Sequence, residues 1–599
     1  MISVIIVIDM KKIKFNRGVG GVVALAVSLM LSCSEYLELT PKSSFGPETI
    51  FGTTENARKA VLAAYQMLGG DQTYGSRINL YYPYDEDNMM GNKGTGDNGR
   101  KDINRYNVTA ANTQLNAPFE RLYGGVERAN ICIKYIPEMS LYTSGSELEK
   151  KKLRRLHGEA LTLRAQFVFD LIKLWGDLPI QWLPSAELTD LFLPKMDRDS
   201  IYDKLLEDLA VAKDLVPWRS EVTALGEAMD ERITKGAVKA LRARIALFRG
   251  GYSLRRGSNQ MERGSNHLHY YQIAADECRE VIASNEHALA PTFLALFKDH
   301  LNAHLLDPWG EVIFDVAQGG GGPGTDSKIG YFSGLRDQIR ALPTFFYDFH
   351  PADTRRDVTI APYTMDADGV LTATEITKLN HGKWRLDWFV NPSFPYTANI
   401  QYMGINWPLI RYSDVLLMFA EAENEVNNGP TAAAISAFEQ VRKRGFAGNE
   451  HLIGTTPTTK EAFFEAIVDE RALELAGEAI RKYDLIRWNL LAAKLAEAKA
   501  EMAKMAAQEA PYDVLPTNMY YYPSAAGGNG INWATSFYEP RPSSAPEGTS
   551  SVRWVSERIL THHDWPNYAE GFKENHSELL PIPQNALNAN PKLTQDYGY

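Results

Sequence analysis

The sequence predicts a mostly α-helical protein, and three of its features support that fold class. Apolar residues recur at helical spacing; in 156–175 they fall at Leu156, Ala160, Leu163, Phe167, Leu171 and Leu174. Several such segments lie in adjacent pairs with short connections, a pattern typical of tetratricopeptide-like helix packing. Hydrophobic residues make up 44% of the chain and charged residues 23%, which is ordinary for globular proteins and argues against disordered, collagen-like and polytopic membrane classes.

The helices alternate with long irregular tracts. The predicted helical segments are, in chain order, 54–68, 119–136, 156–175, 199–215, 237–249, 269–284, 412–427, 431–444, 460–476 and 478–509. Three tracts of loops and short β-like runs interrupt them, over 69–118, 286–410 and 510–575. Loops of this length usually carry function. Because no linker separates them from the helices, we predict one domain over 54–599, with a helical scaffold and a ligand face built from the tracts.

The N-terminus has the layout of a secretory signal peptide. A basic segment (10–17) precedes an apolar run (18–31) that ends just before Ser32 and Cys33. The run is shorter than the roughly 20 residues that a membrane-spanning helix needs. We therefore expect a signal peptide over 1–32, with Met10 as an alternative start.

Cys33 follows a small residue at the end of the apolar run, and this arrangement resembles a bacterial lipoprotein processing site. We expect Cys33 to carry the lipid and residues 33–53 to form the anchor and its tether. The alternative is ordinary cleavage nearby, which would leave Cys33 as a free thiol. The two remaining cysteines, Cys132 and Cys278, lie in helix-like segments and are expected to be unpaired, buried thiols.

Charge and motif content exclude several functions. The net charge of −11 makes the chain a poor candidate for nucleic-acid binding, which needs a basic face. No zinc or cofactor motif is present, so no metal and no cofactor are expected. The segment 364–375 places Asp366, Asp368 and Glu375 at calcium-loop positions, but its flanks resemble strands. We predict a β-hairpin with an Asp-Gly turn there and leave calcium as the alternative.

Four ordered segments carry a resemblance to a known family. They are EALTLRAQFVFDLIKLWGDLP (159–179), RYSDVLLMFAEAE (411–423), AIVDERALELAGEAIRKYDLIRW (466–488) and LLPIPQNALNANPKLTQDYGY (579–599). Together with the lipoprotein-like start they follow the family pattern in order from Cys33 to the last residue. On these motifs the chain is identified as a member of the SusD/RagB family of outer-membrane nutrient-binding lipoproteins.

The resemblance implies a specific function. Members of the family are surface-exposed lipoproteins anchored in the outer membrane, and they are not enzymes. They bind oligosaccharides and deliver them to a SusC-type TonB-dependent transporter, which they cover as a lid. The alternatives are a peptide-capturing lid of the same transporter class and, less expected, a helical surface glycosidase or a structural adhesin.

The charged residues of the family motifs are expected to be structural. They lie in strongly amphipathic segments, so we predict salt bridges within and between helices. The set comprises Glu159, Arg164, Glu470, Arg471, Glu474, Arg481 and Arg487. The ligand surface must then lie elsewhere.

Sugar recognition needs aromatic faces for the C–H side of a ring and polar groups for its hydroxyls. Two tracts, 79–107 and 309–336, supply both. The predicted ligand residues are Tyr81, Tyr82, Tyr84, Asp87, Asn88, Asn98, Trp309, Tyr331, Phe332 and Arg336. The pair Trp384 and Trp388 and the aromatic residues of 520–554 are weaker candidates. For each residue the alternative is that the ring packs its own loop or faces the transporter.

Overall fold

The computed structural model describes residues 46–91, 94–319, 327–332, 335–336, 338–366, 368–390, 402–523, 530–562 and 565–599, with the side chains of 331 and 332 excepted. The contacts divide the chain into Met1–Gly52 and Thr53–Tyr599. In the first unit, the described residues form one short helix. The predicted signal peptide and Cys33 lie outside the described residues.

The helices agree closely with the periodicity of the sequence. In chain order they are α1 (Pro47–Ile50), α2 (Thr54–Tyr65), α3 (Arg100–Asn104), α4 (Asn116–Tyr135), α5 (Ser140–Ser144), α6 (Glu147–Trp175), α7 (Arg198–Ala212), α8 (Lys235–Gly250), α9 (His267–Ser284), α10 (Ile329–Phe332), α11 (Pro343–Asp348), α12 (Arg355–Thr359), α13 (Tyr412–Val426), α14 (Ala432–Gly445), α15 (Lys460–Leu475), α16 (Arg481–Arg487), α17 (Leu491–Ala506), α18 (Arg558–Thr561) and α19 (Gln584–Ala589). Two π-helical segments, Arg77–Tyr81 and Ala295–Leu301, lie in the loop tracts.

The strands are short, and all except β2 and β3 lie in the predicted loop tracts or at the end of one. They are β1 (Met89–Met90), β2 (Ser253–Leu254), β3 (Met261–Glu262), β4 (Val312–Val316), β5 (Arg340–Ala341), β6 (Ile360–Ala361), β7 (Tyr363–Met365), β8 (Leu371–Ala373), β9 (Asn380–His381), β10 (Trp407–Arg411), β11 (Asn518–Tyr522), β12 (Asn532–Trp533) and β13 (Ser550–Arg553). They form antiparallel sheets in the orders β1-β5-β9-β6, β10-β4, β12-β11-β13, β2-β3 and β7-β8. The β7–β8 pair confirms the hairpin predicted at 364–375.

The long helices of the second unit pack in the order in which they occur. α2 and α4 pack on α6, α6 packs on α7, α7 on α8, and α8 on α9. α9 then packs on α13, which also contacts α14 and α15. This series of sequential neighbours is the arrangement expected of a tetratricopeptide-like scaffold. The fold is mostly α, as the sequence predicts.

The longest helix, α6, shows how the sequence sets an element's limits. At its start the Ser146 side chain accepts a hydrogen bond from the backbone N–H of Glu149, and the Glu149 carboxylate accepts one from the backbone of Ser146. At its end Gly176 adopts φ 78°, a backbone angle that favours glycine. The helix therefore begins where two side chains form hydrogen bonds with its free backbone N–H groups, and it ends at a glycine whose backbone angle is not helical.

One helix prediction is wrong in extent. The segment 478–509 contains two helices, α16 and α17, because Asn489 between them adopts φ 58°. A left-handed residue interrupts the ladder of i to i−4 hydrogen bonds, and asparagine tolerates this conformation better than most residues.

The charged motif residues lie inside the protein and form salt bridges, as predicted. Two of them, Glu470 and Glu474, belong to a buried ion cluster, which we define as Glu311, Asp353, Arg355, Lys383, Arg411, Arg442, Arg444, Glu470, Glu474 and Glu478. The other five form ion pairs outside this cluster. The cluster joins β4 and β10 to α12, α14 and α15. Except for the half-buried Arg442, each of its side chains is almost fully enclosed.

A second group of ion pairs surrounds Asp414 at the start of α13. Arg244 and Arg471 both contact its carboxylate, Arg471 with Nη1 at 2.7 Å from Oδ1. Burial by itself raises the pKa of Asp414, but the two guanidinium groups outweigh it and lower the pKa to about 2. The carboxylate is therefore ionised at neutral pH and holds α8, α13 and α15 together.

Several aromatic and thiol side chains pack in the interior. Cys132 and Cys278 are free and buried, as predicted. Trp384 is fully enclosed beside Trp407, with ring centroids 5.4 Å apart. Trp388 lies under the guanidinium of Arg385 and is 5% exposed. The weaker candidate pair Trp384 and Trp388 therefore stabilises its own loop.

Candidate functional site

The first loop tract turns back on the end of α2 through a set of buried hydrogen bonds. The Thr73 hydroxyl donates to carbonyl oxygens of this turn, among them that of Gly69 at 3.0 Å. The π-helical segment Arg77–Tyr81 follows. π-helical segments are rare and often occur at functional sites, because the extra residue re-aims neighbouring side chains. Here the segment brings Arg77 and Tyr81 to the same side as Asp71.

Asp71, Lys328 and Tyr402 meet at this point from three distant parts of the chain. Lys328 Nζ lies 2.9 Å from Asp71 Oδ2, and the Tyr402 hydroxyl donates to the same oxygen at 3.0 Å. The Lys328 ammonium also lies 5.7 Å from the centroid of the Tyr402 ring. The Asp71 carboxylate thus fixes an ammonium group and an aromatic ring side by side.

Two arginines extend this group. Arg77 Nη1 donates to the Asp71 carbonyl oxygen at 2.6 Å, and Arg100 Cζ lies 5.8 Å from the centroid of the Tyr81 ring. We call Asp71, Arg77, Tyr81, Arg100, Lys328 and Tyr402 the polar-aromatic cluster. Arg77, Arg100, Lys328 and Tyr402 are half-buried, whereas Tyr81 is 8% exposed. The cluster therefore presents guanidinium, ammonium and phenol groups at the surface.

The electrostatics keep the hydrogen-bond donors of the cluster protonated. Burial and the Asp71 carboxylate raise the pKa of the Tyr402 hydroxyl. Burial alone lowers the pKa of Lys328, but its bond to Asp71 outweighs this and raises it. Asp71 Oδ1 and Arg77 Nε have no hydrogen-bond partner among the described residues. The cluster therefore combines neutral and charged donors, and it retains unused hydrogen-bonding capacity.

Three predicted ligand residues lie in the interior. The Tyr82 hydroxyl donates to Gln114 O at 2.7 Å, and its ring packs edge-on against Trp175. Asn88 Nδ2 donates to Ala472 O at 3.2 Å. Tyr84 is 2% exposed. The enclosed positions of Tyr82, Tyr84 and Asn88 leave no face for a ligand, so these residues hold the tract against the helices.

Three further predicted residues have intramolecular partners in the structure. Asp87 forms a bidentate salt bridge with the motif residue Arg481, with Nη2 2.6 Å from Oδ2. Asn98 is exposed, with φ 43°, and its amide donates to Ala111 O at 3.3 Å. Half-buried Trp309 packs edge-on against His300, with centroids 4.7 Å apart.

The remaining predictions of the second tract fall at α10 and just after it. Arg336 is half-buried. Tyr331 and Phe332 lie on α10, and their side chains lie outside the described residues. The structure thus brings Tyr81 into the polar-aromatic cluster, and it leaves Asn98, Trp309 and Arg336 at separate places.

Five cluster residues are not among the predicted ligand residues: Asp71, Arg77, Arg100, Lys328 and Tyr402. Asp71 and Arg77 lie in the first predicted tract, just before the segment on which the sequence argument concentrated. Lys328 and Tyr402 come from positions 257 and 331 residues after Asp71 along the chain. A single sequence does not show which residues come into contact when they are this far apart along the chain.

A separate cleft of about 260 Å³ lies between β4 and the segments 229–234 and 301–307. Its lining includes Glu231, Asp315, Gln318 and Asn406, together with apolar side chains such as Leu301. We call it the β4 cleft. It touches the polar-aromatic cluster through Gln318, whose Oε1 accepts a hydrogen bond of 3.4 Å from the backbone N–H of Gly70.

Comparison with known proteins identifies the family. Residues 344–599 match the model of the SusD family, and residues 35–247 match the model described as starch-binding associating with outer membrane. The chain belongs to the SusD/RagB family. A curated relative, SusD-like protein P25 of Formosa agariphila, is 25% identical over 500 residues, which cover 77% of this chain and 88% of that protein.

Solved structures of SusD proteins share the fold. A SusD homolog from Bacteroides thetaiotaomicron superposes with a TM-score of 0.73 at 21% identity, covering 92% of this chain and 98% of that one. Surface glycan-binding protein A from the same organism, in complex with laminarihexaose, gives a TM-score of 0.60 at 19% identity, with 91% and 99% covered. Within the described residues of this SusD-family chain, no helix is long and apolar enough to cross a membrane.

Proposed function

We propose that this SusD-family protein binds an oligosaccharide at the polar-aromatic cluster and is not an enzyme. The observation that carries the proposal is the meeting of Asp71, Lys328 and Tyr402 beside Arg100 and Tyr81. Guanidinium and ammonium groups donate to sugar hydroxyls, the phenol oxygen of Tyr402 can accept from them, and aromatic rings cover the C–H face of a pyranose. The family match and the glycan-bound relative support the same ligand class.

The proposed ligand surface extends beyond the cluster. Asn98, which is exposed, and Arg336, which is half-buried, are proposed to contribute at its edges. Trp309 is proposed as a more distant contact. Tyr82, Tyr84 and Asn88 are not part of the proposal, because their side chains are enclosed, and Asp87 is excluded by its salt bridge to Arg481.

We propose that the bound oligosaccharide is handed to a SusC-type TonB-dependent transporter in the outer membrane. In this scheme Cys33 carries the lipid that keeps the protein at the cell surface. Lipoproteins with several acyl chains are stably anchored, whereas a single chain binds a membrane only marginally. Replacing Cys33→Ala should move the protein from the outer-membrane fraction to the soluble fraction, and its retention in the membrane would contradict the anchor.

Affinity electrophoresis of the purified protein against a panel of polysaccharides tests the binding function. Calorimetry with oligosaccharides of any retarding polysaccharide, together with an assay for new reducing ends, separates binding from hydrolysis. Saturable binding without product supports capture. Release of reducing ends would show that the protein is a glycosidase.

Two variants test the site. Tyr402→Phe removes only a hydroxyl, and Arg100→Gln removes a charge; each should weaken oligosaccharide binding about fivefold or more, since one hydrogen bond contributes about 1 kcal/mol. Tyr142→Phe, which also removes a half-buried hydroxyl, and Arg541→Gln, at an exposed position, are matched controls that should bind normally. Unchanged binding in both site variants would place the ligand elsewhere. Binding of peptides, with no glycan retarding the protein, would favour the peptide-capturing alternative.

A further inference from the structure

The β4 cleft contains two carboxylates that share one hydrogen-bond donor. Asn406 Nδ2 donates to Asp315 Oδ2 at 3.1 Å and to Glu231 Oε1 at 3.3 Å. The Asn406 amide is itself held in place, because its Oδ1 accepts a bond of 2.9 Å from the backbone N–H of Gln318. The two carboxylates therefore converge on the Asn406 amide in the lining of a cavity of about 260 Å³.

Neither carboxylate forms a salt bridge within the described part of the chain. The arginines that line the cleft are engaged elsewhere: Arg232 contacts Glu159 and Glu227, and Arg219 donates to the carbonyl oxygen of Asp307. Of the two histidines in the lining, His304 has both ring nitrogens facing backbone carbonyl oxygens, and burial lowers the pKa of His287, which favours its neutral form. The negative charge of the pair is thus not balanced by the protein side chains described around it.

Burial and the neighbouring carboxylate of Glu231 raise the pKa of Asp315 to about 8. Two acidic groups at close range resist ionising together, and a cation placed between them would remove that repulsion. An ammonium group is small enough to reach both and carries up to three donors for their oxygens.

Gln318 supplies an independent sign of a ligand. Its side chain is only 7% exposed and lines the cleft. Oε1 is bonded to the backbone of Gly70, but Nε2 has no hydrogen-bond partner among the residues that the structure describes. A buried donor left unpaired costs about 1–3 kcal/mol, so a ligand acceptor at this position would be favoured. A sugar hydroxyl is such an acceptor.

We propose that the β4 cleft binds an amino sugar, with the ammonium group between Glu231 and Asp315 and a hydroxyl accepting from Gln318 Nε2. The apolar side chains of Leu301 and Ile313, which also line the cleft, face the C–H groups of the ring. This site is distinct from the polar-aromatic cluster and does not depend on the function proposed for it.

Calorimetry of the full protein with D-glucosamine at neutral pH tests the proposal against three reference compounds. D-glucose lacks the amine, N-acetyl-D-glucosamine carries it in neutral form, and L-lysine presents an amine without a sugar ring. Glucosamine should bind at least tenfold more tightly than glucose or the acetylated sugar. Its affinity should fall several-fold on addition of salt, as expected for a charged ligand.

Variants assign the contacts. Glu231→Gln and Asp315→Asn should each remove the preference for glucosamine over glucose, and Gln318→Met should weaken glucosamine binding while leaving the weaker binding of lysine unchanged. Asp513→Asn, at an exposed position, is the matched control. Thermal melting of each variant shows that it is folded.

Three outcomes would overturn the proposal. The first is equal binding of glucosamine and glucose, or no binding of either. The second is a preference for glucosamine that persists in both carboxylate variants. The third is lysine binding as tight as glucosamine binding, together with no effect of Gln318→Met. Tyr402→Phe and Arg100→Gln should leave glucosamine affinity unchanged. The experiments can therefore contradict oligosaccharide binding at the polar-aromatic cluster without contradicting amino-sugar binding in the β4 cleft, and the reverse.

Discussion

Arg411 is the residue on which the buried ion cluster depends most, and its replacement by methionine gives a sharp test of that cluster. The side chain is 1% exposed. Its guanidinium donates to Glu311 and Glu474 at 2.8 Å and makes two bonds to Glu478, at 2.7 and 2.8 Å. The cluster contains five cations and five anions, so Arg411→Met leaves one uncompensated negative charge in the interior.

The expected loss of unfolding free energy is about 3–5 kcal/mol. Removing one partner of a buried ion pair costs this much because the remaining charge stays in a medium of low polarity. Adding the four lost charge-assisted hydrogen bonds at roughly 1.5–3 kcal/mol each would give a larger loss of unfolding free energy. Arg444 and Lys383 remain bonded to the same carboxylates and offset part of it, and the methionine side chain fills most of the space.

Urea denaturation followed by tryptophan fluorescence and circular dichroism measures the loss, provided that the two signals coincide and unfolding reverses. Arg541→Met, at an exposed position, is the control and should change stability by less than about 0.5 kcal/mol. In the double variant Arg411→Met/Glu478→Gln the excess charge is gone, so part of the stability should return. A loss below about 1 kcal/mol in Arg411→Met, or a double variant less stable by the full sum of both changes, would refute the reasoning.

Three further predictions concern single positions. Asp414→Asn should lower the unfolding free energy at pH 7 by about 2 kcal/mol, because the lowered pKa of Asp414 stabilises the fold above pH 3.8. This contribution is lost as the pH falls towards 2. Urea midpoints from pH 3 to 7 should therefore change less with pH in the variant. Gly477→Ala should lower the melting temperature more than Gly448→Ala; both have positive φ, but only at Gly477 would the new Cβ collide with His381. In the unmodified protein the raised pKa of Asp315 should lower stability between pH 4 and pH 8, because ionisation of this carboxyl is unfavourable in the folded state. Asp315→Asn should remove this decrease, and melting temperatures of both proteins at the two pH values measure it.

The helical scaffold could be predicted from the sequence because its signal is local. Apolar spacing located the long helices, and their ends differ from the prediction by a few residues, except that α6 begins nine residues before the predicted 156. The segment 478–509 is predicted as one helix, whereas the left-handed backbone of Asn489 divides it in two, and apolar spacing does not report a backbone angle. The burial of the charged motif residues could not be predicted either: Arg471 and Glu474 have the i, i+3 spacing of a pair on a surface helix, yet both are enclosed.

The candidate site could be predicted only in part, because its residues meet across the chain. Tyr81 and Tyr82 are adjacent in the sequence, and the first contributes to the cluster while the second packs against Trp175. Which of two neighbouring rings faces outward depends on the π-helical segment, which composition does not reveal. Tyr402 bonds to Asp71 only after β10 and α2 have been placed by the rest of the fold.

The buried family motifs and the loop residues contribute differently to stability. Arg411 and Glu474 each have three ion-pair partners in the buried ion cluster, so a change at either should destabilise the second unit. Lys328 and Tyr402 make one bond each to Asp71 at a half-buried surface. Replacing either costs about 1 kcal/mol or less of stability. The loop residues of the polar-aromatic cluster can therefore change with little loss of stability, which fits the proposal that they, and not the buried motifs, contact the ligand.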